Sequence, residues 1–340
     1  MGVLEACEPR GEVLKGDLDD AIFAADFNAV VEGKAPKVYG DAETFFRNTH
    51  PAQQLRKIIE SVFQRLATRK EGGAIVRLST GFGGGKTHTL IAMWHLAKNI
   101  ADPSTGTELL PAAGRPKAVS VAAIDAGKAG GPVFARHGRR KTHSLWGELA
   151  WQLGGEKGIK AFAEVDDPEK QPDASLLAKM FPAGPVLILL DELVIYMSTL
   201  SQRAQNNLLA FLEKLTATVR NRPQTVLVIT DPAQQVAYAE QSERLNDVLG
   251  RKVSDFDPIK DEAARVIVRR LFDTVDQAIA EQTSAQYHDL YQRVIEDHPG
   301  LLPPEATTPE YARRIVECYP FHPRLLDTAQ DRLGALGDFN

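Results

Sequence analysis

The sequence predicts an α/β fold, a parallel β-sheet flanked by helices and followed by a small helical domain. Three observations carry this. Short apolar runs alternate with stretches of helical periodicity through residues 74–229, the pattern of strand–helix–strand crossovers. One of those runs passes through a glycine-rich loop straight into a helix. Beyond about Asp255 the strand signals stop and helical periodicity alone remains.

The elements follow in chain order. Residues 1–70 read as a mostly helical lead-in packed on the core. Between Pro51 and Lys70, Leu55, Ile58, Ile59, Val62, Phe63 and Leu66 fall at helical spacing. Gly72 and Gly73 break that pattern, and the β-branched run Ala74 to Leu78 reads as a strand. After the glycine loop, Leu90, Ile91, Met93, Trp94 and Ala97 mark a helix ending near Asn99. Residues 101–117 read as a loop. Ala118 to Ile124 is a second strand, stopped by Asp125, and residues 127–143 form a glycine-rich basic loop. Ser144 caps a helix that Gly154 and Gly155 end. A short helix is expected near Ala174 to Met180. Pro185 to Leu190 is the most apolar run of the chain, suited to a central strand buried on both faces. Asn207 to Val219 is a helix with one apolar face, and Thr225 to Ile229 is another buried strand. Helices are expected at 261–273, 276–296, 308–317 and 323–335. The expected domains are thus the lead-in 1–70, an α/β core 71–254 and a helical lid 255–340.

Composition narrows the function classes. With 43% hydrophobic and 25% charged residues the chain has the makeup of a globular protein. A net charge of −5 does not favour nucleic acid as a bulk partner. Two distant cysteines, Cys7 and Cys318, make no disulfide framework or metal cluster, so a cytoplasmic setting is expected. No apolar run is long enough for a membrane helix.

The chemistry is expected at the glycine loop, residues 80–87 of which align with the phosphate-loop pattern G-x-x-x-x-G-K-[ST]. Thr80 stands where the first glycine belongs, with Gly81 one place later. Gly81, Phe82, Gly83, Gly84 and Gly85 leave the backbone free to wrap its N–H groups around phosphates. Lys86 supplies a charge to the β- and γ-phosphates, Thr87 a hydroxyl to Mg²⁺, and His88 continues the binding segment into the helix. Asp191 and Glu192 end the most apolar strand. A carboxylate there can hold Mg²⁺, and its neighbour can polarise the attacking water. Thr230 ends the neighbouring strand, where phosphate-loop ATPases of the additional-strand class carry a polar residue near the γ-phosphate, with Asp231 behind it. ATP and Mg²⁺ are the implied cofactors. Arg251 and Arg324 are candidates for an arginine finger or lid arginine, although a solvated or salt-bridging arginine is the commoner case. The cluster from His137 to His143, with Arg139, Arg140 and Lys141, could touch DNA or RNA phosphates, but a short charge run is usually a solvated loop. No interleaved aromatics support stacking on single strands.

Several segments carry a resemblance. They are 31–39 with Phe45 and Phe46, 81–90, 145–154, 184–193 and 319–323. In these the chain resembles the AAA-type ATP-binding proteins of bacterial and archaeal defence islands, often called phage-resistance ATPases. The resemblance implies a phosphate-loop NTPase of the additional-strand, AAA-like type with a small helical lid. It implies an ATPase region at the N-terminus of a longer protein, in keeping with the abrupt ending Gly-Asp-Phe-Asn. It also implies partners of the DNA methyltransferase or helicase type. Where related proteins tend to carry an acidic or neutral residue after the His-Pro pair, this chain has Arg324.

The leading expectation is ATP hydrolysis that drives conformational change in an anti-phage complex. A nucleotide-gated scaffold that binds ATP with little hydrolysis is the alternative. A small-molecule kinase is disfavoured by Glu192, and a DNA translocase by the overall acidity. A homo-oligomer stays open at this level.

Overall fold

The computed structural model describes residues 3–15, 25–68, 73–79, 85–129, 133–231, 238–250, 254–256 and 262–329. Its strands are β1 (Cys7–Pro9), β2 (Ile75–Ser79), β3 (Ser120–Asp125), β4 (Ala135–His137), β5 (Arg140–Thr142), β6 (Val186–Asp191), β7 (Thr225–Asp231), β8 (Ser254–Phe256) and β9 (Phe272–Val275). Five of them form one sheet in the order β3-β6-β7-β2-β8, parallel throughout. The expected α/β architecture, a parallel sheet flanked by helices, is therefore present.

Burial explains which strands are central. Every residue of β6 and of β7 is buried, as continuous apolar runs require when helices cover both sides. On one face, Ile124, Ile188, Leu190, Leu227 and Ile229 pack with Leu145 and Leu149 of the Leu145–Phe162 helix and with Phe211, Leu212 and Leu215 of the Gln202–Asn221 helix. On the other, Val76, Leu78, Leu187, Leu189, Val226 and Val228 meet Ile58, Ile59 and Val62 of the Gln53–Ala67 helix and Leu90, Ile91 and Met93 of the Lys86–Lys98 helix. Each such fully buried side chain stabilises the fold by roughly 1.5–3 kcal/mol. The open edge at β3 is covered locally by an amide. Ala123 N–H donates to Gln152 Oε1 at 2.7 Å, and Gln152 Nε2 donates to Ala123 O at 3.1 Å, which satisfies backbone that no described strand pairs.

Several elements differ from the sequence expectation, which gave no helix at Leu193–Thr199 or Ala239–Leu249 and no strand at Cys7–Pro9. The basic loop contains a hairpin of β4 and β5. The helix begun at Leu145 resumes past Gly155, whose φ of 56° breaks the helical path, and continues to Phe162. A strand, β8, spans the expected core boundary at residue 254 and pairs with β2. Residues 272–275, expected at the tail of a helix and the gap after it, form β9. The helices expected at 276–296 and 308–317 run Gln277–Asp297 and Pro309–Cys318, and the last described one is Pro323–Thr328.

The chain divides into two compact units. One comprises Ala24–Phe46 and Pro51–Ile259 and holds the five-stranded sheet. The other comprises Met1–Phe23, Arg47–His50 and Lys260–Asn340. This division cuts across the three expected spans, because the lead-in is shared between the units. In the second unit β1 pairs antiparallel with β9. Arg10 there is 3% exposed and donates to Asn48 Oδ1, Asp273 Oδ1 and the Arg269 carbonyl at 2.5–3.0 Å. Among the described residues, no helix is long and apolar enough to cross a membrane.

Candidate functional site

The parallel register sets Asp125 beside Asp191, and Ser79 beside Asp231. The C-terminal ends of β3, β6, β7 and β2 therefore share one edge of the sheet. The Lys86–Lys98 helix starts just past β2. Gly85 precedes it at φ 74°, ψ 15°, a left-handed conformation that glycine adopts without steric cost. A helix start of this kind turns its first N–H groups and the positive end of its dipole toward an anion.

Asp191 is the hub. It is 3% exposed, and both of its oxygens are engaged. The Thr87 hydroxyl donates to Oδ2 at 3.0 Å, and the Thr230 hydroxyl donates to Oδ1 at 2.5 Å. The Glu192 N–H donates to Thr230 Oγ1 at 3.1 Å and to Asp191 Oδ1 at 3.2 Å. Burial pushes the Asp191 carboxyl above its ordinary range, while the two hydroxyls, the Glu192 N–H and the Lys86 charge pull it back. Thr87 and Asp191 are 104 residues apart in sequence, so only the folded sheet brings them together.

Glu192 stands beside this hub with φ 51° and ψ 31°. That is the left-handed region, costly for a residue with a Cβ and typical of functional positions. Its side chain lies over Gly127, where a Cβ would sit 2.1 Å from Glu192 Oε2 and 2.8 Å from its Cβ. Desolvation first, and then the Asp191 charge, raise its carboxyl pKa.

A third carboxylate completes the edge. Asp125, at the end of β3, accepts from Gly127 N–H at 3.1 Å. Burial, and then repulsion from Asp191 and Glu192, push it up to about 7. Lys128, which is ion-paired with Asp26, offsets part of that repulsion. In the sequence Asp125 is marked only as the residue that ends the second strand. Its signal was position, an acid ending the strand that neighbours the acidic one.

The structure thus gathers Gly85, Lys86, Thr87, Asp191, Glu192 and Thr230. Gly81, Phe82, Gly83, Gly84 and Arg251 lie outside the described residues. The His88 ring packs on Phe45 and Tyr39, with centroids 4.5 and 6.5 Å away, so a phosphate would meet this residue through its backbone N–H. Asp231 is not part of the cluster. It is fully buried, accepts from Ser242 Oγ at 2.8 Å and pairs with Arg77 at 3.6 Å. Arg324 belongs to the other unit, where it is exposed at the start of the Pro323–Thr328 helix.

The donor set can be tested against Mg²⁺. Among the described residues, no group of three or more His, Cys, Asp or Glu side chains is arranged to hold a metal ion alone. Mg²⁺ does not require one. It takes hard oxygen ligands, usually one or two carboxylates with substrate phosphates and retained water. A hydroxyl and a carboxylate in mutual contact, beside two further acids of raised pKa, fit that demand.

Neither a search of curated proteins nor one of solved structures returned a match. A family model, described as the DUF499 N-terminal domain, matches residues 1–255 and so reaches into β8, the last strand of the sheet. With 255 of its 340 residues covered, the chain belongs to the DUF499 N-terminal domain family.

Proposed function

We propose that this chain is an ATP-binding and ATP-hydrolysing domain of the phosphate-loop, additional-strand type. The observation that carries the reading is the 3.0 Å hydrogen bond between Thr87, at the end of the glycine loop, and Asp191, at the end of β6. The sheet order supports it. β7 lies between the loop strand β2 and the acidic strand β6, the arrangement that gives the additional-strand class its name.

In this reading the N–H groups of the loop and of the first helical turn bind the phosphates, with Lys86 as their counter-charge. Thr87 and Asp191 would hold Mg²⁺, which supplies charge neutralisation on the β- and γ-phosphates. Glu192, fixed at the strand end, orients the attacking water and takes its proton. Thr230 positions the acidic pair through its bonds to Asp191 Oδ1 and Glu192 N–H. By its resemblance to defence-island ATPases, the chain would couple hydrolysis to conformational change in an anti-phage complex. Partners of the methyltransferase or helicase type are part of that proposal.

Lys86→Ala should remove ATP binding, read by titration calorimetry, with the melting temperature of the nucleotide-free protein nearly unchanged. Binding of wild-type strength in that variant would refute the site.

A further inference from the structure

The hairpin of β4 and β5 lies outside the nucleotide site and has no part in the proposed hydrolysis. Its backbone register pairs Ala135 with Thr142, Arg136 with Lys141 and His137 with Arg140, and Phe134 N–H donates to Thr142 O at 2.7 Å. Strand alternation gives the two faces different fates. The inner face is anchored to the Leu145–Phe162 helix by Glu148, which is 2% exposed. Glu148 accepts from Thr142 Oγ1 at 2.7 Å and from Gln152 Nε2 at 2.7 Å, and meets His137 Nε2 at 2.8 Å. The His137 ring stacks on Trp151 with centroids 5.0 Å apart. Arg140 is tied to Glu156 at 2.6 Å.

The outer face holds Arg136 and Lys141, both exposed and directly opposite each other. Like charges in that relation weaken a ladder, so folding alone gives no reason for them. Arg139 adds a third exposed cation in the turn. From Ala126 to Gly147 the sequence holds no Asp or Glu, in a chain of net charge −5. Among the described residues Arg136, Arg139 and Lys141 form no ion pair, so a firmly anchored two-stranded ribbon presents three exposed cations with no exposed aromatic side chain between them.

We infer that this hairpin is a docking surface for duplex DNA and contacts its phosphate backbone without reading sequence. A two-stranded ribbon fits the DNA major groove, whereas the deep, narrow major groove of duplex RNA does not admit it. Among its described residues the hairpin exposes no aromatic side chain, so it lacks the stacking platform that single strands use. The inference stands apart from the nucleotide reading, because phosphate contact by Arg136, Arg139 and Lys141 needs neither ATP nor Glu192.

Fluorescence anisotropy of the full chain with a short random-sequence duplex, at about 50 to 200 mM salt, tests it. The triple variant Arg136→Ser, Arg139→Ser, Lys141→Ser should bind roughly tenfold or more weakly, and its log–log salt slope should be shallower by about 2.7, at about 0.9 per phosphate contact. Lys141→Glu separates a binding role from a folding role. It creates an opposite-charge pair with Arg136, which favours the hairpin, yet it should weaken DNA binding. Absence of wild-type binding at the lowest salt would overturn the inference. So would variants with unchanged affinity and slope, or competition by polyglutamate as effective as that by DNA, which would mark a face for acidic protein instead.

Discussion

Glu192, Gly127 and Asp125 form a coupled set in which each residue limits the others. The left-handed backbone of Glu192 costs about 1–2 kcal/mol and is held by its N–H bonds to Thr230 and Asp191. Gly127 leaves just enough room for the Glu192 side chain. A methyl there must displace Glu192 from its Cβ outward, because the clash is not confined to the flexible end of the side chain. Gly127→Ala should therefore lower ATP turnover about tenfold or more, given how steeply rate depends on catalytic geometry, with ATP affinity kept within a few-fold. Steady-state kinetics beside calorimetry would show the split. Asp125 sets a pH dependence. Its folded pKa, about 7, lies above its ordinary 3.8, so the folded state binds this proton more tightly than the unfolded chain. The stability it contributes is present at low pH and is lost as pH rises toward 7. Melting curves from pH 5 to 8 without Mg²⁺ or nucleotide should fall more steeply in the wild type than in Asp125→Asn.

At the scale of elements, the Leu145–Phe162 helix organises its surroundings through its first turn. Ser144 caps it by accepting from Gly147 N–H at 3.0 Å. Leu145 and Trp146 are buried in the core, and Trp146 Nε1 donates to Val165 O. At Gly147 a Cβ would lie 1.9 Å from Asp166 Oδ1, the same carboxylate that accepts from the His143 and Ser144 N–H groups. Glu148 then fastens the hairpin. Its removal leaves His137, Thr142 and Gln152 without their shared acceptor. Glu148→Ala should cost about 3 kcal/mol in chemical denaturation, whereas Glu156→Ala, at an exposed pair, should cost under about 1 kcal/mol. The apolar strands were legible in the sequence because burial on both faces leaves continuous runs, so Pro185 to Leu190 and Thr225 to Ile229 nearly coincide with β6 and β7. The hairpin strands have three residues each, too few to show alternation, and their partner Glu148 lies outside them. The pairing of Cys7 with Val275 joins residues far apart in a pattern that local periodicity does not register. Lys86, Thr87, Asp191 and Glu192 could be read from motif and strand position. Asp125 and Gly127 could not, since their relevance comes from the register of β3 on β6 and from the space beside Glu192.

At the scale of the molecule, the sheet order decides what the loop and the acids can do together. A loop strand separated from the acidic strand by one intervening strand still delivers Thr87 onto Asp191, because the parallel register brings all the strand ends to one edge. In the second unit β1, near the start of the chain, pairs with β9 more than 260 residues later. The central claim is that this edge hydrolyses ATP, with Glu192 activating water. Its most direct test is Mg²⁺-dependent phosphate release, measured with ATP binding, for wild-type protein and Glu192→Gln. The expected result is ATP binding within a few-fold of wild type and turnover reduced by roughly 10² or more, the contribution typical of a positioned general base. Equal turnover in the two proteins would contradict the account.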